Sequence, residues 1–344
     1  MLMGLVMHAT LLYSVPELAA DLIVARDISP EEPTPWTWVL IIWIHQWRMP
    51  LFFLLAGFFA ELVMDRGGPK AWAKDRVLRI AGTLAVFMVI FSVVLSRPLG
   101  SLDHLWFLWF LCFYCLYAGL LRIAGPFQWQ GWASWPFQTP WHSLSLFPIL
   151  TLASLIGRSD GLFHDIPEQI YEVELGGLAL YLVPFVIGQG LYWHRSLIGA
   201  LALKRVWLPL LATGTLSTFA VLVAFSEADS RLLVTLTGAI TTWAWTFGFI
   251  GLFEWAVRRR SSILDWVVRV SYPVYLFHLY VVIQVSAVFI LWGWGQAGVI
   301  VGSSVVAFAI SVALYYLFVW WTPLDWFLAG PKKARLRWPF RNHF

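Results

Sequence analysis

Charged residues are scarce in this 344-residue chain. Asp, Glu, Lys and Arg make up 12% of it, about half their usual share in a soluble domain. Together with 60% hydrophobic residues and a mean hydropathy of +0.74, that scarcity excludes a water-soluble enzyme. No stretch is long and polar enough for a separate soluble domain or a disordered tract, and no internal repeat is visible, which excludes a solenoid. Cysteine is nearly absent. The two present, Cys112 and Cys115, lie inside an apolar run, where a CxxC reads as two small packing residues on one helix face rather than a redox pair. No metal cluster and no nucleic-acid partner is expected.

What the chain has in abundance is apolar length. Crossing a bilayer takes about 20 mostly apolar residues, because about 30 Å of hydrocarbon must be spanned with every backbone polar group satisfied internally. Ten segments approach that criterion, near 1–14, 36–63, 77–96, 104–124, 142–158, 174–193, 206–225, 232–257, 272–292 and 297–321. The expected fold is an all-α integral membrane protein with about ten transmembrane helices in one bundle. Residues 1–330 form the membrane domain, and 331–344 a basic tail. The first helix is undersized, since a helix from Met1 to Ser14 rises only about 20 Å. The 23 Trp, 26 Phe and 11 Tyr suit interfacial belts and helix packing.

The basic residues fall into alternate loops: Arg66, Lys70, Lys74, Arg76 and Arg79; Arg122; Arg195, Lys204 and Arg205; Arg258, Arg259, Arg260 and Arg269; and the tail from Lys332 to Arg341. The loops between them hold most of the acidic side chains. Positively charged loops stay on the cytoplasmic side, so both termini are expected there. The acidic outer loops 14–35 and 159–173 are placed to shape an extracytoplasmic vestibule, and the Pro- and Trp-rich stretch 125–141 to lie in the cytoplasmic interface.

An ionisable side chain inside a span is costly and marks function by default. His8 lies in the first span, His45 and Arg48 in the second, His104 at the start of the fourth and His278 in the ninth. Counted inward from Trp36 at about 1.5 Å per residue, Arg48 sits about 18 Å deep, where a cation must face a partner or water. His45 and Arg48 are three apart and project from one helix face. His104, at the membrane edge, reads as structural or interfacial. His8 and His278 suit either an interhelical hydrogen bond or chemistry. GWGQAG at 293–298 matches GxGxxG formally but follows no strand, so a dinucleotide site is not expected; Gly298 and Gly302 instead give a GxxxG spacing for close helix approach.

Taken in order, LMGLVMHATLLYS at 2–14, HQWRMPLFFLLAGFFAELVMDRG at 45–67, HLWFLWFLCFY at 104–114 and SYPVYLFHLYVVI at 271–283 resemble the membrane acyltransferase-3 family. Within it the likeness is to the branch that succinylates periplasmic glucans. It covers nearly the whole chain. It implies a multi-pass enzyme of the bacterial inner membrane, of the acyltransferase class that moves groups other than amino-acyl groups. Such an enzyme carries an acetyl or succinyl group from cytoplasmic acyl-CoA, a co-substrate rather than a bound cofactor, to a hydroxyl of a glycan or similar acceptor. The family's first helix carries an arginine, ten intervening residues and a catalytic histidine. His8 matches the histidine, and the arginine would precede Met1, so the expectation is a start set too far downstream or a truncated, inactive form.

The resemblance casts His8 as the general base. Arg48, with His45, is assigned to the acyl donor or to the developing oxyanion. His278, Tyr275 and His104 are candidate supporting residues. Arg66, Lys70, Lys74, Arg76 and Arg79 stand where the CoA phosphates would enter, a run that positive-inside topology alone would also produce. Two other classes compete. One is a transporter or flippase, which also places polar groups mid-membrane. The other is a haem-binding electron carrier using His8, His45 and His278 as ligands.

Overall fold

A computed structural model describes residues 2–14, 32–125, 131–157, 166–226, 231–259 and 261–330. The basic tail, most of the acidic loop expected at 14–35 and the first half of that expected at 159–173 lie outside the described residues. Among the described residues each of the ten apolar segments is largely helical, and the only pairing of extended backbone is an isolated bridge between Ser101 and Gln169. Among the described residues seven helical stretches, rather than the ten expected, are long and apolar enough to cross a membrane; one of them covers Pro35–Leu95, and Met3–Tyr13 and His142–Gly157 are shorter.

Two compact units make up the chain, one from Met1–Ile44 and Arg260–Phe344, the other from His45–Arg259. The helices are α1 (Leu2–Ser14), α2 (Pro35–Arg76), α3 (Thr83–Leu95), α4 (Trp106–Ala124), α5 (Phe147–Gly157), α6 (Leu175–Trp193), α7 (Ser196–Leu201), α8 (Lys204–Ser226), α9 (Arg231–Ala256), α10 (Ser262–Leu291), α11 (Gln296–Leu314) and α12 (Leu324–Leu328).

In the first unit α1 packs against α10 and α11. Leu5, Ala9 and Leu12 recur at helical spacing on the buried face of α1. The facing stripe of α11 is Val299, Ser303, Ala307 and Ser311, all but free of solvent. Small residues at every fourth position let helices approach where lipid offers no hydrophobic drive to associate. The expected Gly298–Gly302 approach takes a different form, because a Cβ on Gly302 would meet the rings of Phe289 and Trp294 rather than another backbone. α10 begins ten residues before its expected start at 272, because Ser261 caps it by accepting a hydrogen bond from the Leu264 N–H at 3.1 Å.

In the second unit α2 runs far beyond residue 63, to Arg76, and is broken at Gly68, whose φ of 77° and ψ of 159° are non-helical. A π-helical turn, Val77–Gly82, then leads into α3. α8 and α9 form a close antiparallel pair. Gly214 lies under the Trp245 ring, and Trp245 Nε1 donates to Thr218 Oγ1 at 3.1 Å. The outward faces stay apolar, as at Leu116, Leu120 and Ile123 of α4 and Val301 and Val305 of α11, a surface suited to hydrocarbon and not to water.

Candidate functional site

His8 and His278 meet in the first unit. Their ring centroids are 4.9 Å apart with planes inclined by 56°. His8 is partly exposed beside the buried face of α1, whereas His278 is 3% exposed. His278 Nδ1 lies 2.6 Å from the backbone oxygen of Tyr275. A carbonyl can only accept, so Nδ1 carries the proton and Nε2 of the neutral ring is left with a lone pair. The Tyr275 ring stands 5.9 Å from His278 and 6.3 Å from Tyr272, the latter pair stacked. Sequence reasoning named three of these residues singly; the fold brings His8, His278 and Tyr275 into one group. A buried imidazole with a fixed tautomer, set against a partly exposed one, is an arrangement able to orient a base and to move a proton.

Arg48 and His45 belong to the second unit. Arg48 is 9% exposed in the apolar body of α2, and His45 is partly exposed one turn earlier. On either side of Arg48, Gln46 gives its backbone oxygen to Thr242 Oγ1 at 2.8 Å, the Trp47 ring packs on Phe249 at 4.4 Å, and Pro50 interrupts the helical ladder. His104 lies elsewhere in the unit, in the short turn before α4. It is 5% exposed and rests 5.7 Å from the Phe91 ring. Beside it Arg97 and Asp103 form an ion pair at 2.8 Å.

The basic run in the last turns of α2 and the π-helical turn after it is not uniform. Arg66, Lys70 and Lys74 are exposed, while Arg76 and Arg79 both turn to Asp75, at 3.0 and 3.9 Å. Cys112 and Cys115 are unbridged thiols, partly buried on α4. Among the described residues no three His, Cys, Asp or Glu side chains converge as metal ligands would.

Sequence reasoning missed the junction of α2 with α6. Gly57 and Gly188 place the two backbones in contact: a Cβ on Gly57 would lie 1.9 Å from Phe185 O, and one on Gly188 1.9 Å from Leu54 O. One turn further, the buried carboxylate of Glu61 accepts from Gln189 Nε2 at 2.9 Å and from Trp193 Nε1 at 3.2 Å. Asp65 accepts from the Tyr192 hydroxyl at 2.6 Å, and Arg195 lies 4.6 Å over the Tyr192 ring. An acidic residue inside the segment 36–63 was the available signal, since a carboxylate within a span needs donors.

Residues 1–316 match the family described as an acyltransferase domain of the acyltransferase-3 type. The chain is similar to "Glucans biosynthesis protein C" of Escherichia coli strain SMS-3-5 / SECEC, 31% identical over 80 residues, which is 23% of this chain and 19% of that relative. The proteins of the same description from Escherichia coli O1:K1 / APEC and O139:H28 (strain E24377A / ETEC) match to the same extent. The match thus spans about a fifth of the length of these curated relatives. No solved structure matches the chain.

Proposed function

The chain belongs to the acyltransferase-3 family, and from that premise we propose that it is a multi-pass inner-membrane O-acyltransferase. It takes an acetyl or succinyl group from cytoplasmic acyl-CoA and delivers it to a hydroxyl of a glycan, with both chain termini on the cytoplasmic side. The observation that carries the chemistry is the contact of His8 with the tautomer-fixed His278. In this reading His8 removes the proton from the acceptor hydroxyl as its oxygen attacks the thioester carbonyl carbon. The C–O bond forms, the C–S bond breaks, and the imidazolium returns its proton to the departing CoA thiolate. Arg48 is assigned to the acyl donor, where a buried cation suits an anionic group such as the free carboxylate of a succinyl chain. Arg66, Lys70 and Lys74 are exposed cations suited to CoA phosphates. A haem held between His8 and His278 is disfavoured, since two imidazoles in ring contact leave no slot for a macrocycle.

The test is transfer by the purified full chain in nanodiscs, supplied with radiolabelled acetyl-CoA or succinyl-CoA and a glucan. Labelled glucan and stoichiometric free CoA are expected, with His8→Ala lowering turnover at least about 100-fold. Movement of label across the bilayer without CoA release would overturn the reading in favour of a carrier.

A further inference from the structure

α2 carries a proline at position 50, two residues after Arg48. A proline nitrogen has no hydrogen to donate, and its ring crowds the carbonyl four residues back, which here is that of Gln46. Within a membrane such a carbonyl needs a donor from another side chain. α9 supplies it, for the hydroxyl of Thr242, 6% exposed, donates to Gln46 O at 2.8 Å. The same stretch of α9 sets Phe249 against the Trp47 ring at 4.4 Å. Residues 46 and 47 are therefore both seated on α9 immediately before the arginine. Arg48 occupies the single turn between the accepting carbonyl and the proline, so the way that turn is closed sets the direction of its side chain.

We propose that Thr242 is a positioning residue for Arg48: it supplies the hydrogen bond that Pro50 cannot, and thereby holds the turn that aims the guanidinium. The proposal rests on the reading of Arg48 as an acyl-donor residue. Nothing in it requires Thr242 to touch a substrate.

The experiment is a mutant cycle on the full chain in nanodiscs, with acetyl-CoA as the probe and both kinetics and unfolding midpoint as readouts. Thr242→Val is expected to raise KM for acetyl-CoA about tenfold while kcat stays within about twofold. Thr242→Ser, which keeps the hydroxyl, restores KM to within about twofold of the unaltered chain. Pro50→Ala returns a backbone N–H to the Gln46 carbonyl, so adding Thr242→Val to it changes KM and midpoint by less than about twofold and about 1 °C. Additive effects of the two substitutions overturn the proposal, as does a loss of stability with KM unmoved, which is what a purely structural threonine would give. Failure of the unaltered chain to release CoA counts against the acyltransferase reading itself. The unfolding cycle would then still decide whether Thr242 and Pro50 act on one carbonyl.

Discussion

The crossing of α2 and α6 sets a quantitative test of how this membrane domain is held together. A methyl added at Gly57 would stand 1.9 Å from Phe185 O, whereas ordinary contact begins at 3.4 Å, so Gly57→Ala forces the helices apart by about 1.5 Å. One turn along, the bonds from Gln189 and Trp193 to Glu61, now 2.9 and 3.2 Å, would stretch past useful range. Overpacking costs about 1–3 kcal/mol, and stripping donors from a buried carboxylate adds about 1.5–3 kcal/mol. The expected loss is about 2.5–6 kcal/mol, large because lipid offers the helices no hydrophobic reason to stay together. Reversible unfolding in mixed micelles, followed by tryptophan fluorescence, measures it. Gly199→Ala is the control: its Cβ would meet nothing within 4 Å, and its cost should stay within about 0.5 kcal/mol. Gly57→Ala combined with Gly188→Ala should cost less than the sum, because helices already parted by one methyl have room for the second. Equal midpoints for Gly57→Ala and Gly199→Ala, or strict additivity of the pair, would refute the reasoning.

Two further outcomes are expected. His278→Phe keeps a ring against His8 but removes the nitrogens, so kcat for acyl transfer should fall about 10- to 100-fold with KM for acyl-CoA little changed; steady-state kinetics at varied acyl-CoA decide it, and an unaltered kcat removes His278 from the reaction. Glu61→Gln keeps one acceptor oxygen but sets an NH2 against the second of the donors from Gln189 and Trp193, and should cost about 1–2 kcal/mol in the same unfolding assay, whereas no change would mean the carboxylate is dispensable at that junction.

The apolar segments were legible because span length is a property of consecutive residues. So were His8, Arg48 and His278, since an ionisable group stands out in an apolar run. What could not be read was which helices meet. Glu61 and Gln189 are 128 residues apart, and nothing in either local pattern names the other. The glycine spacing at 298–302 looked like a close crossing, yet Gly302 faces rings, whereas Gly57 and Gly188 meet backbone. The early start of α10 had a sequence signal in Ser261, overshadowed by Arg269 in the segment before the apolar run.

Gly68 has a Cβ position with nothing within 4 Å, and its φ of 77° with ψ of 159° lies where side-chain-bearing residues are strongly disfavoured. With Pro69 following, this corner is written in torsion angles rather than in contacts with other helices. It is therefore available as soon as those residues emerge from the ribosome, before any later segment has been synthesised. The bend between the two apolar stretches on either side of it thus rests on a local backbone preference, and a side chain placed there would be felt as torsional strain rather than as lost packing.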